Sequence, residues 1–198
     1  MKIREGRIDD AEFLAKVVIE ALGHELSVGL AGGEQRLPLV NKLFTRLASY
    51  PDSQYSYRNA LIAVDKDEIY AGGIIAYDGA KLHPLRRAFV KEANQILGWN
   101  VSEEEAENWG DEAEPGEIYI DSLYVVPEFR QNGVASALLK EVEKRFEGTR
   151  KPIGLLVEPE NHRAFQRYLH WGFQEVGISN FFQTPMLHMQ KENSRIES

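Results

Sequence analysis

The sequence predicts one α/β domain built on a mixed sheet. Segments with helical and with strand-like periodicity interleave along the 198 residues. Neighbouring apolar runs joined by short polar turns form hairpins, so the sheet is not purely parallel. A chain of this length buries a core without staples, and its 43% hydrophobic and 27% charged content is that of a globular protein.

The first strand is expected in "KIREGRI". Asp9 followed by Glu12 reads as a capping box, and Phe13, Leu14, Val17, Val18, Ala21 and Leu22 then recur on one helical face. "EQRLPLVNKLFTRLASY" is a second helix, with Pro38 near its start and Pro51 beyond its end. "NALIAVDKDEIYAGGIIAYDG" is a hairpin by composition, and Gly72 and Gly73 mark a bulge or a close backbone approach. "KLHPLRRAFVKEANQILGW" is helical and opens an insertion over 81–116. The acidic run "SEEEAENWGDEAEPGE" is either a solvated loop or frayed helix, or a mobile acidic lid that attracts an amine. "EIYIDSLYVV" is a long buried strand. Val134, Ala135, Leu138, Leu139, Val142 and Phe146 form the apolar face of the helix after it. A buried strand "IGLLVEP", a short helix "NHRAFQRYLHWGF" and two strands within "QEVGISNFFQTPMLHMQK" complete a domain over 1–191, and 192–198 is expected to be a disordered tail.

Composition removes several functions. There is no cysteine, hence no disulfide, thiolate metal site or cysteine nucleophile, and the five histidines are too scattered for a metal site. A net charge of -8 disfavours nucleic-acid binding and permits a cationic substrate. No apolar run reaches the roughly 20 residues of a membrane span. The N-terminal "MKIREGRIDDAEF" lacks a signal-peptide core, so a cytoplasmic location is expected.

The chemistry starts at "VVPEFRQNGVASALLKEV". A strand runs through a glycine-bearing turn into a helix, whose first N–H groups lack intrahelical partners and carry partial positive charge. Such a turn can hold a phosphate, with Gly133 admitting the anion close to the backbone and Arg130 adding a cation. It can equally be only a turn. It is neither a P-loop nor a dinucleotide fingerprint, because the residues those motifs need are missing. Downstream, Asn161, Ala164, Tyr168, Gly172 and Phe173 recur in "NHRAFQRYLHWGF".

Together "LYVVPEF", "RQNGVA" and "N-x2-A-x3-Y-x3-GF" closely resemble the GNAT superfamily of acetyl-CoA-dependent N-acetyltransferases, most specifically over Glu117 to Gly177. The resemblance implies a mixed, mostly antiparallel sheet with helices on both faces. It implies acetyl-CoA as cosubstrate and a small-molecule amine as acceptor, with a peptide acceptor or another acyl-CoA as alternatives. A CoA-binding sensor without turnover is a further one. It also assigns residues. The backbone of Leu123, Tyr124 and Val125 would pair with the pantetheine arm. Gln131, Asn132, Gly133, Val134, Ala135 and Ser136 would hold the pyrophosphate, and Arg130 would contact phosphate or brace the turn. Asn161 would contact the cofactor, cap its helix, or both.

Tyr168 would protonate the departing thiolate, or would merely pack against Phe165 and Leu169. For the general base the candidates are Glu117 and Asp121, which share a face on a regular strand, with a water chain as competitor. Asp121 is the more unusual, because an unpaired carboxylate in an apolar run is costly. Transfer would be direct, with the oxyanion held by a strand N–H near Val125. The acceptor site would be built from the N-terminal helices and the insertion. Apolar strands near the C terminus allow a homodimer.

Overall fold

The computed structural model describes residues 1–181 and 184–193. Among these residues seven strands, β1 (Lys2–Glu5), β2 (Ala60–Val64), β3 (Tyr70–Asp78), β4 (Ile118–Val125), β5 (Ile153–Val157), β6 (Gln174–Phe181) and β7 (Thr184–Lys191), form one sheet. Its order is β1-β2-β3-β4-β5-β7-β6. All neighbours are antiparallel except β4 and β5, so the sheet is mixed and mostly antiparallel, as expected.

Among the described residues seven α-helices flank it: α1 (Ala11–Leu22), α2 (His24–Ala31), α3 (Leu37–Ser49), α4 (Leu82–Leu97), α5 (Glu103–Glu107), α6 (Val134–Phe146) and α7 (His162–His170). On one face α1, α3 and α4 bury Leu14, Leu43, Phe44, Leu47 and Phe89 against Ile62 and Ile75. On the other, α6 buries Leu138, Leu139 and Val142 against Ile74, Ile118, Ile153 and Leu155, with Tyr168 and Trp171 of the α7 region at the border.

Some local details differ from the sequence reading. The expected first helix is α1, which ends at Gly23 with a φ of 81° open to glycine, and α2, which the sequence reading does not place, follows at once. The start of α1 is organised by Asp10 rather than by Asp9 and Glu12. The buried Asp10 carboxylate accepts the Arg7 N–H at 2.7 Å, both terminal nitrogens of Arg4 at 2.8 Å and the Tyr70 hydroxyl at 2.9 Å. Gly72 and Gly73 are close approaches: a Cβ at the first would lie 2.8 Å from the Tyr124 carbonyl oxygen, and at the second 2.8 Å from Val17 Cγ2.

The insertion is part of the core. Phe89 of α4 packs edge-on against Trp99 and Trp109, with ring centroids 5.9 and 6.4 Å apart. The acidic run is only partly solvated. Ser102 and Glu105 cap α5 reciprocally, while Glu112 is buried in an ion pair with Arg86 of α4. Of the expected tail, Glu192 and Asn193 follow β7 without regular structure, and 194–198 lie outside the described residues. Among the described residues, no helix is long and apolar enough to cross a membrane.

Candidate active site

The parallel pairing of β4 with β5 covers two positions only, Ile118 with Ile153 and Tyr119 with Gly154. Beyond Tyr119 the two strands part, and the fork opens a cleft of about 950 Å³ that reaches both faces of the sheet. From one face come residues of β4, the following turn, α6 and α7. From the other come residues of α1 and α2 together with Phe44, Tyr55, Phe89 and Trp99.

Within the fork β4 has a free backbone edge. Val126 donates to Ala71 O on the β3 side at 3.0 Å, so by strand alternation the N–H of Val125 points to the open side. The same alternation turns Leu123 N–H and C=O there. The Val125 carbonyl, also on that side, accepts Arg130 Nε at 3.1 Å. Arg130 therefore braces the turn while lining the cleft.

The turn then reverses the chain through two left-handed residues, Gln131 at φ 65° and Gly133 at φ 75°. Gly133 is required by that dihedral, since a Cβ there would meet nothing within 4 Å. It is also the N-cap of α6, and with no side-chain cap the first N–H groups of the helix stay available. Val134, Ala135 and Ser136 line the cleft beside Gln131 and Gly133, whereas Asn132 does not. Across the fork Asn161 caps α7, its Oδ1 accepting Ala164 N–H at 3.1 Å, and it lines the cleft as well. Arg163 and Arg167 on the next turns add two cations to this end. A free strand edge, an uncapped helix N-terminus and nearby arginines suit an elongated ligand bearing amides at one end and phosphates at the other.

Tyr168 lines the same cleft from α7, half-buried and held edge-on by Trp171 and Phe173 at 5.6 and 5.5 Å. Burial pushes its phenol up to about 12, so it is a proton donor at neutral pH.

The two candidate carboxylates, Glu117 just before β4 and Asp121 within it, lie at opposite ends of the fork. Glu117 sits at the closed end and is fully buried, outside the cleft lining. Its carboxylate accepts Glu114 N–H at 3.0 Å and Gln190 Nε2 at 2.8 Å, and His188 Nε2 lies 2.8 Å away. The bond to Glu117 raises the His188 pKa, favouring the imidazolium as its partner. The carboxylate also fills the space over Gly154, where a side chain would overlap it.

Asp121 sits at the open end. Opposite it the β3 register slips, Ile75 pairing with Ser122 and Ala76 with Ile120, so Asp121 is the extra residue of a bulge. The strand is not regular there, and Asp121 reaches the cleft lining, which Glu117 does not. Burial, and secondarily the charge of Glu112, raise its pKa to about 7, opposed by hydrogen bonds from Ser122 Oγ, at 2.8 Å, and Gln54. Gln54 Nε2 also donates to Glu112 Oε1 at 3.3 Å. Behind the carboxylate, then, lies a polar chain of Gln54, Glu112 and Arg86. No sequence signal singled out Gln54, Tyr55, Arg86 or Arg167. Tyr55 and Arg167 line the cleft, while Gln54 and Arg86 meet Glu112 behind Asp121 from segments distant in sequence.

A carboxyl group poised near neutrality and a phenol beside one cleft are suited to moving protons in both directions. Solved structures similar to the chain include several named as acetyltransferases. An acetyltransferase crystal structure superposes with TM-score 0.73 at 23% identity, covering 98% of this chain and all of that one. An N-acetyltransferase from Staphylococcus aureus Mu50 gives the same TM-score at 19% identity, over 96% of this chain and 100% of its own. The PaiA N-acetyltransferase from Thermoplasma acidophilum, solved with coenzyme A, gives 0.53 at 17% identity, over 96% and 98%. A sequence search of curated proteins finds no significant match. These likenesses establish the fold. The profile of the Acetyltransferase (GNAT) family matches residues 42–173. The match spans the fork, the glycine turn and the tyrosine helix, and the chain belongs to that family of acetyl-CoA-dependent transferases.

Proposed function

We propose that the protein transfers the acetyl group of acetyl-CoA directly to a primary amine of a small molecule, with Asp121 as general base and Tyr168 as general acid. The observation that carries this reading is the bulged Asp121, half-buried and lining the open fork, with its pKa raised to about 7. Asp121 accepts a proton from the ammonium, directly or through one water, and the freed nitrogen attacks the thioester carbonyl. The Val125 N–H, on the open edge of β4, faces the oxyanion of the tetrahedral intermediate. As the C–N bond forms and the C–S bond breaks, Tyr168 gives its proton to the departing thiolate, leaving an amide and free CoA.

The α6 N-terminus, from Gln131 to Ser136, would bind the pyrophosphate through backbone N–H groups, supported by Arg163 and Arg167. Leu123, whose N–H and C=O face the open side, would pair with the pantetheine arm, whereas those of Tyr124 face β3. Because Arg130 already occupies the Val125 carbonyl, that pairing stops short of it. Glu117, with its oxygens engaged at the closed end, is proposed as a brace of the β4–β5 junction. The test is release of CoA thiol with a panel of amines. Tight acetyl-CoA binding with no turnover on any amine would favour a sensor instead.

A further inference from the structure

The acceptor end of the cleft has a chemistry of its own. Its walls are rings: Phe44, Tyr55, Phe89, Trp99 and Tyr119 line it, closed by Leu26 and Leu30 from α2. The rings are locked edge to face, Phe44 to Tyr55 at 4.9 Å and Phe89 to Trp99 at 5.9 Å, so the walls are preorganised rather than collapsible. Tyr55 and Tyr119 stay neutral, because burial pushes both phenols well above their ordinary range. Carboxylates are few. Among the described residues Asp121 lies in the fork, Glu20 is exposed on α1, and Glu158 follows β5 near Asn161. Glu112, just behind, is already paired with Arg86.

Granting that Asp121 receives the amine, we infer that the acceptor is a monocationic primary amine carried on a flat apolar body of aromatic size. Its ammonium meets Asp121 and its ring is received by the aromatic walls. A polyamine would have to leave its further charges among rings that hold no carboxylate besides Asp121, at the cost of their hydration. An amino sugar or a peptide would leave hydroxyls or amides unpaired there.

The experiment measures CoA thiol release by the full chain at saturating acetyl-CoA with 2-phenylethylamine, tryptamine, spermidine, glucosamine and a tetrapeptide. The two arylalkylamines should exceed the others in kcat/KM by about 30- to 100-fold, the worth of burying one ring. Preference for spermidine, glucosamine or the peptide overturns the inference. Leu26→Lys, a change on the half-buried α2, should raise the KM of the arylalkylamines about 10-fold and leave that of acetyl-CoA unchanged. Trp99→Ala should do the same if it folds; an unmoved amine KM in Leu26→Lys counts against the pocket. Calorimetry with 2-phenylethylamine in the presence of CoA separates the two readings. Binding without turnover rejects the transferase reading and keeps the pocket, whereas no binding rejects the pocket.

Discussion

The two ends of the cleft are made of different material. The end proposed for the cofactor is mostly backbone: a strand edge, a turn with two positive φ angles and an uncapped helix start, all within one stretch from Ile120 to Ser136. The acceptor end is side chain, drawn from α1, α2, α3, the loop around Tyr55, α4 and the segment after it. Backbone recognition tolerates most side-chain changes and so suits a ligand common to many enzymes. Side-chain walls can be rebuilt one residue at a time, which suits a ligand that differs between them. Asp121 and Tyr168 stand between the two ends.

If the backbone end binds as proposed, its most damaging single change is Gly133→Asp. The new residue must hold a φ of 75° and places a negative charge at the α6 N-terminus, where an anion should lie. Acetyl-CoA affinity should fall about 10³-fold by calorimetry, with the fold retained by circular dichroism. Unchanged affinity would move the phosphates elsewhere.

Between the ends, Asp121→Asn should lower kcat about 10²- to 10³-fold and remove the ascending limb of the pH–rate profile near pH 7. The same change should stabilise the fold. Asp121 has a folded pKa raised above its unfolded value, so between about pH 4 and 7 the native state holds the extra proton and stability falls as pH rises. The amide variant escapes that loss. At pH 8 it should gain about 2 kcal/mol, seen as a Tm higher by about 4–8 °C, and the gain should vanish below about pH 4.

Glu117→Gln makes the opposite case. Its carboxylate is engaged by the Glu114 N–H, His188 and Gln190 at the closed end, and removing its charge leaves His188 only the exposed Glu114 carboxylate, 3.8 Å away. The expected cost is about 3 kcal/mol of stability, by denaturant unfolding, with the ascending pH limb kept. A lost limb at unchanged stability would return the base to Glu117. A smaller effect is expected of Tyr168→Phe, about 10²-fold or less in kcat with acetyl-CoA affinity intact, because solvent can also protonate a thiolate.

What could be read in the sequence follows the same division. Gly133 and Asn161 carry their reasons locally, in a positive φ and a helix cap. The order of strands and helices was legible because apolar periodicity is local too. Asp121 stood out as a carboxylate inside an apolar run, but the bulge that turns it into the fork depends on the β3 register. Glu117 and Asp121 therefore both stay candidates for the base in the sequence, and the end of the β4–β5 pairing separates them. The acidic run gave no hint that Glu112 is buried, because its partner Arg86 lies 26 residues earlier, on α4. Gln54, 58 residues from Glu112, had no local signature at all.

The subtlest test of the boundary between the two ends lies in that polar chain. Around Asp121 the titratable neighbours are Glu112, Tyr55, Tyr77 and Tyr119, and the three phenols stay neutral through the working range. Glu112 is thus the neighbouring charge that raises the Asp121 pKa. Glu112→Gln removes it and leaves the Arg86 charge balanced only by Asp111, 3.6 Å away, and both changes favour the carboxylate form. The ascending limb of the pH–rate profile should move to lower pH by less than about one unit, with kcat on the plateau nearly unchanged. A purely structural role for Glu112 would lower stability and leave the limb where it was. A shift toward lower pH would show that the insertion, besides walling the acceptor pocket, sets the protonation of the group that receives the amine.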